Sequence, residues 1–161
     1  MGTAHYRAPK ASDATDVQKL VQNTPELDDN SWYYYALMFD HFRDTCLIAE
    51  ADGVIHGFVI GYLKPTDRDT LFLWQTATSL THGVPNMGLT LLTSLINRLA
   101  QNNNIRYIEA TTDPNNKAIN MQFRLLSRYL NSDASTSIFL DSAQYSQLDH
   151  DEQLVKIGPL Q

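Results

Sequence analysis

The dipeptide Asp52-Gly53 sits between two apolar, β-branched runs in TCLIAEADGVIHGFVIGYLK, and no other stretch limits the fold as tightly. Asp-Gly accepts the left-handed backbone of a two-residue hairpin turn, and the flanking runs have the residue types of strands. A chain with this hairpin is committed to a sheet that begins antiparallel. Helical signals precede it. Ser12 or Asp13 can cap a helix through Val17, Leu20 and Val21 that ends at Thr24 and Pro25. Asn30 or Ser31 opens a second, with Tyr34, Leu37, Met38 and Phe42 at helical spacing. After the hairpin, Lys64-Pro65-Thr66-Asp67 makes a turn into a third strand, TLFLWQTAT, and the irregular SLTHGVPNMG follows. A helix from Gly88 then carries Leu89, Leu92, Leu95, Ile96 and Leu99 on one face and stops at Asn102-Asn103-Asn104. Next come the strand IRYIEATT, the turn Asp113-Pro114-Asn115, and a helix placing Phe123, Leu126 and Tyr129 together. Two further strands, SDASTSIFL and DEQLVKIG, complete the chain. The order predicts an α/β (α+β) fold on a sheet of mixed direction.

Composition bounds what such a fold does. A chain of 161 residues makes one domain, spanning 1–161, with a buried core. No apolar run reaches the ~20 residues of a membrane span, and MGTAHYRAPKASD lacks the apolar stretch of a secretory signal, so a cytoplasmic protein is expected. The single Cys46, in the apolar setting DTCLIAEA, reads as a small buried hydrophobe in a reducing compartment. A net charge of −6 disfavours nucleic acid and is compatible with a cationic substrate.

Few residues carry an obvious chemistry. None of the five histidines has metal-ligand spacing, and His5, His41, His56 and His82 read as surface or satisfied side chains. Asp28-Asp29-Asn30 lacks the glycine and the distant glutamate of a calcium loop, and no metal is expected. Two features remain. The strand–loop–helix from Trp74 to Leu99 can offer amides and a positive dipole end to a phosphate, or be an ordinary crossover. LDDNSWYYY sets acids, an amide and aromatics together, which suits an ammonium ligand or simply starts an amphipathic helix.

Taken in order, these stretches resemble the diaminobutyrate acetyltransferases of ectoine biosynthesis, a branch of the GNAT superfamily. Arg7 and Pro9 match an opening R-x-P. LDDNSWYYY resembles L-D-x-N-S-x-Y-x-Y, LFLWQTAT resembles L-F-V-W-Q-V-A-V, IEATTDPNNKA resembles E-A-T-x-x-P-x-N-x-A, and HDEQLVKIGPL resembles H-x-E-x-L … I-G-P. The resemblance implies a GNAT fold, with helices on both faces of a mixed sheet and acetyl-CoA lying where two parallel strands splay apart. It implies transfer of acetyl to the side-chain amine of L-2,4-diaminobutyrate, by a homodimer.

It also implies roles. Asp28, Tyr33, Tyr35 and Trp74 would hold the diaminobutyrate, Glu152 and His150 would handle the proton, and Asp28 is a second candidate carboxylate. A backbone amide near Thr76 or Thr78 would receive the oxyanion. Gly83, Gly88, Leu89, Asn116 and Phe123 would contact the cofactor. Core packing is the competing reading of Trp74, and helix capping that of Asn116. Proton handling matters because an alkyl ammonium with a pKa near 10 leaves only about 1 in 10³ as free amine at neutral pH. One block departs from the family. R-G-x-G-L is replaced by THGVPNMGL, without the arginine and with Pro85 removing an amide, so weaker cofactor binding is expected. A noncatalytic relative binding coenzyme A or a cationic metabolite, or an acetyltransferase for another amine, remains the alternative.

Overall fold

The computed structural model describes residues 3–25, 27–79, 83–102 and 104–160. The Asp52-Gly53 turn closes as its residue types require, with φ of 53° and 76°. It joins β2 (Cys46–Ala51) to β3 (Val54–Lys64), paired antiparallel from Ala51↔Val54 to Cys46↔Ile60. Strand β4 (Asp67–Thr78) follows, and a short β1 (His5–Arg7), not foreseen in the sequence, pairs with β2. Helices are α1 (Ala14–Gln22), α2 (Trp32–His41), α3 (Met87–Asn102) and α4 (Lys117–Tyr129); the later strands are β5 (Tyr107–Thr112), β6 (Ala134–Leu140) and β7 (Glu152–Ile157). Among the described residues the strand order is β1-β2-β3-β4-β5-β7-β6. None of the described helices is long and apolar enough to cross a membrane.

The chain divides into two units, Met1–Tyr62 with Gln75–Asn102, and Leu63–Trp74 with Asn103–Gln161. In the first, Val17, Leu20 and Val21 of α1 and Tyr35 and Phe39 of α2 form one cluster with Cys46, Ile48, Phe58, Ile60 and Ala77. These strand positions alternate, so α1 and α2 lie on one sheet face. Gly57 opens to the other face, where an added Cβ would stand 3.0 Å from Leu91 and 3.1 Å from Met87 of α3. Helices therefore cover both faces. Each fully buried Tyr or Phe here is worth about 1.5–3 kcal/mol.

In the second unit β4 and β5 run parallel, Thr70–Leu73 against Tyr107–Ala110. The ladder ends there, although β4 continues to Thr78 and β5 to Thr112. On its other side β5 pairs antiparallel with β7, and β7 with β6. The buried Glu109 carboxylate is matched by Lys64 at 2.9 Å and Lys156 at 3.6 Å.

Four local expectations are corrected. Asp13 does not cap α1 with its side chain; it has helical φ and ψ, and its carboxylate takes the Lys10 amide and both Nη atoms of Arg7. A charged fork outcompetes a neutral helix amide for one carboxylate. The buried stripe of α2 is Tyr35 and Phe39, whereas Leu37 and Phe42 are exposed. Four consecutive aromatics leave the helical phase undetermined by periodicity. In α4, Phe123 and Leu126 are buried but Tyr129 is not, because successive three-residue steps rotate away from one face. Helix α3 starts at Met87, one residue before the expected Gly88.

Candidate functional site

In the first unit the segment 28–31 is fixed from several sides. Ser31 is extended and its Oγ accepts the Tyr34 amide at 3.1 Å, which starts α2. Gln18 of α1 donates to the Asn30 carbonyl at 3.0 Å, and Gln22 to the Asp29 carboxylate at 3.2 Å. From β4, Gln75 donates to the Asp28 carbonyl at 3.4 Å and accepts the Tyr35 hydroxyl at 3.0 Å. Burial pushes the Tyr35 phenol above its ordinary pKa, against the opposing pull of the Asn30 and Gln75 amides. Tyr35 thus belongs to the core, 0% exposed, with its edge to Phe58.

Tyr33 lies elsewhere. Residues two apart on a helix do not share a face, and Tyr33 is 58% exposed with its ring edge-on to Trp32. The side chain of Asp28 is exposed. Of the expected substrate group, the structure joins Tyr35 and the Asp28 backbone through Gln75, a residue the sequence reading passed over. The signal for it was the Trp74-Gln75 pair: a long amide on an otherwise apolar strand requires partners when buried. Alternation along β4 puts Trp74, Thr76 and Thr78 on one face and Gln75 and Ala77 on the other.

The expected cofactor elements of this unit meet at the start of α3. Gly83 and Asn86 both have positive φ, 67° and 57°, in the chain entering the helix. The Thr90 amide closes the first turn on the Asn86 carbonyl at 2.9 Å. The amides of Met87, Gly88 and Leu89 precede it and carry the positive end of the helix, a donor set that fits a phosphate. His82 and Thr81 lie outside the described residues.

The second unit assembles a proton-handling group. Nδ1 of His150 lies 2.9 Å from the Asp151 carbonyl, which can only accept, so Nδ1 carries the hydrogen and Nε2 is left for exchange. Glu152 Oε1 stands 3.8 Å from Nδ1, and Asp149 and Asp113 stand 3.4 and 3.7 Å from Nε2. The Asp151 carbonyl, followed by these carboxylates, raises the His150 pKa above its ordinary value. The structure therefore brings His150 and Glu152 together and adds Asp113. Gln153, next to Glu152, turns to Thr112 instead.

The turn after β5 holds the remaining residues. Asn116 caps α4, its Oδ1 accepting the Ile119 amide at 3.2 Å. Asn120, also passed over, donates to the carbonyls of Asp113 and Pro114 and accepts the Thr112 hydroxyl. Phe123 is buried, and it lines a cavity of about 670 Å³ beside α4 together with Arg124, Arg128, Thr136 and Val155.

Comparison with known proteins adds three kinds of likeness. Residues 14–122 match the model of the acetyltransferase (GNAT) family. The chain is 36% identical, over 96% of its length and 84% of the relative's, to L-2,4-diaminobutyric acid acetyltransferase of Bordetella parapertussis. It is 34% identical, over 99% of its length and 82% of the relative's, to that of Nocardia farcinica. Among solved structures it is similar to the diaminobutyrate acetyltransferase from Paenibacillus lautus in complex with L-2,4-diaminobutyric acid and coenzyme A. That likeness has a TM-score of 0.90 and 34% identity, and covers 99% of this chain and 96% of the other.

Proposed function

Because the chain belongs to the L-2,4-diaminobutyric acid acetyltransferases of the GNAT family, we propose that it transfers acetyl from acetyl-CoA to the side-chain amine of L-2,4-diaminobutyrate, giving the N4-acetyl product. The observation that carries the chemistry is the His150 ring, whose Nδ1 is committed to a carbonyl while Nε2 faces carboxylates. An ammonium is drawn to such a group by charge and loses its proton to neutral Nε2. The freed amine attacks the thioester carbonyl, forming the N–C bond; the C–S bond then breaks, and the leaving thiolate takes up the second proton that the new amide nitrogen sheds. Glu152 steadies the imidazolium from the Nδ1 side.

The rest of the site follows the same reading. Beyond Leu73, β4 runs past the end of its β5 ladder, and a backbone amide near Thr76 or Thr78 serves as the oxyanion donor. Amides of Gly88 and Leu89 receive the pyrophosphate, with Gly83, Asn116 and Phe123 nearer the pantetheine and nucleotide. Asp28 and Trp74 contact the diaminobutyrate, and Tyr35 supports Asp28 through Gln75.

Chain 1–161 works as one catalytic domain, β4 contributing residues to both units. The working form is a homodimer: β6 ends the strand order, carries no charge and exposes Ile138 and Phe139, features that suit pairing with an identical strand. It acts in the cytoplasm. The test of function is steady-state release of coenzyme A with diaminobutyrate, lysine and spermidine in turn. Diaminobutyrate is expected to give the highest kcat/KM by a wide margin. Equal or better turnover of spermidine would overturn the assignment.

A further inference from the structure

We propose that Asp113 is the positioning carboxylate of His150, locked by its own turn so that one oxygen faces Nε2. The proposal rests on the reading of His150 as the proton acceptor. Four acidic residues surround this ring, and three are otherwise disposed. Asp149 is close at 3.4 Å, but its side chain is 95% exposed and solvent screens it. Glu152 lies on the Nδ1 side, whose hydrogen already goes to the Asp151 carbonyl. The Asp151 carboxylate is taken by the Ser142 amide and hydroxyl, both at 2.8 Å.

Asp113 differs in being both aimed and immobilised. Its Oδ1 accepts the Asn115 amide at 2.8 Å, which leaves Oδ2 to stand 3.7 Å from Nε2, with the side chain 33% exposed. Its own carbonyl takes the Asn116 amide at 3.0 Å and the Asn120 side chain at 3.3 Å. Residue, turn and rotamer are thus set before any substrate arrives, at little cost in ordering.

A fixed negative charge opposite Nε2 favours the imidazolium and so helps the ring accept a proton from an ammonium. It also sets where activity fails in acid. Protonated His150 is no base, so kcat/KM falls as pH drops through the His150 pKa. Removing the Asp113 charge lowers that pKa and moves the acid limb to lower pH.

The test titrates His150 by NMR and measures kcat/KM against pH for the full chain and for Asp113→Asn, Asp113→Ser and Asp149→Asn. Asparagine and serine both keep an oxygen for the Asn115 amide, so the turn is retained. Both Asp113 variants are expected to lower the His150 titration and the acid limb together by about half a pH unit, as suits a partly exposed pair. Asp149→Asn is expected to move them less. A His150 titration unchanged in both Asp113 variants would overturn the proposal. If the titration moves while the kcat/KM profile stays, His150 is not the base and the positioning role falls with it, whereas acetylation of diaminobutyrate, read from the product, stands.

Discussion

Replacing Asp28 by asparagine removes a charge but keeps the carbonyl that Gln75 grips, so the loop stays in place. The carboxylate is exposed, and its attraction for an ammonium falls in the range of solvent-facing pairs, about 0.2–1 kcal/mol. Asp28→Asn is therefore expected to raise KM for diaminobutyrate by up to about fivefold and leave KM for acetyl-CoA unchanged. Gln75→Leu should act differently. It leaves the buried Tyr35 hydroxyl without its acceptor, a loss of about 1–3 kcal/mol, and frees the part-buried Asp28 carbonyl from its donor. Urea unfolding reads that loss as a lower midpoint, and KM for diaminobutyrate should rise with it. An unchanged midpoint would mean that Tyr35 finds another partner.

Element positions depend on closer contacts than any residue pattern reveals. The start of α3 lies against β3 only because residue 57 has no side chain. A Cβ there would also come within 3.2 Å of the Ala77 carbonyl, and backbone cannot yield as the tips of Leu91 and Met87 can. Gly57→Val is expected to lift the first turn of α3, weakening acetyl-CoA binding several-fold by calorimetry while diaminobutyrate binding changes less. Equal weakening of both would point to general loosening. The long elements were legible in the sequence, since the Asp52-Gly53 hairpin and the leucine stripe of α3 each follow from local chemistry alone. Strand β1 was not: three residues, HYR, have no period, and they become a strand by pairing with β2. Nor was the phase of α2, where WYYY is apolar on every side and only packing on Phe58 selects Tyr35. At the site, His150 and Glu152 entered through the resemblance of the tail HDEQLVKIGPL to H-x-E-x-L … I-G-P, and the structure sets their side chains 3.8 Å apart. Asp113 and Asn120 were not legible, because their roles arise where the turn after β5 meets the segment before β7, far away in the chain.

For the molecule as a whole, acid is the sharper threat. Burial alone would raise the Asp13 pKa, but the Arg7 fork and the Lys10 amide outweigh it and hold the carboxyl below its ordinary range. A folded pKa below the unfolded value gives stability that is complete above about pH 4 and is lost as pH falls through the folded pKa. Arg7→Gln is expected to cost about 1.5–3 kcal/mol at pH 7, the worth of a hydrogen bond to a charged group. That difference should shrink as urea titrations are repeated below pH 4. A constant difference would assign the effect of Arg7 to packing.

Cys46 supplies a practical consequence. It is the chain's one thiol, fully buried, with burial pushing its pKa up to about 11. Native enzyme should therefore be invisible to a chromogenic disulfide reagent, and coenzyme A liberated during turnover can be counted against a zero background. On addition of denaturant the same reagent should register one equivalent per chain. A single colour reaction thus follows both the product and the integrity of the catalyst, and any sluggish thiol signal in a resting sample would report molecules that have opened around β2.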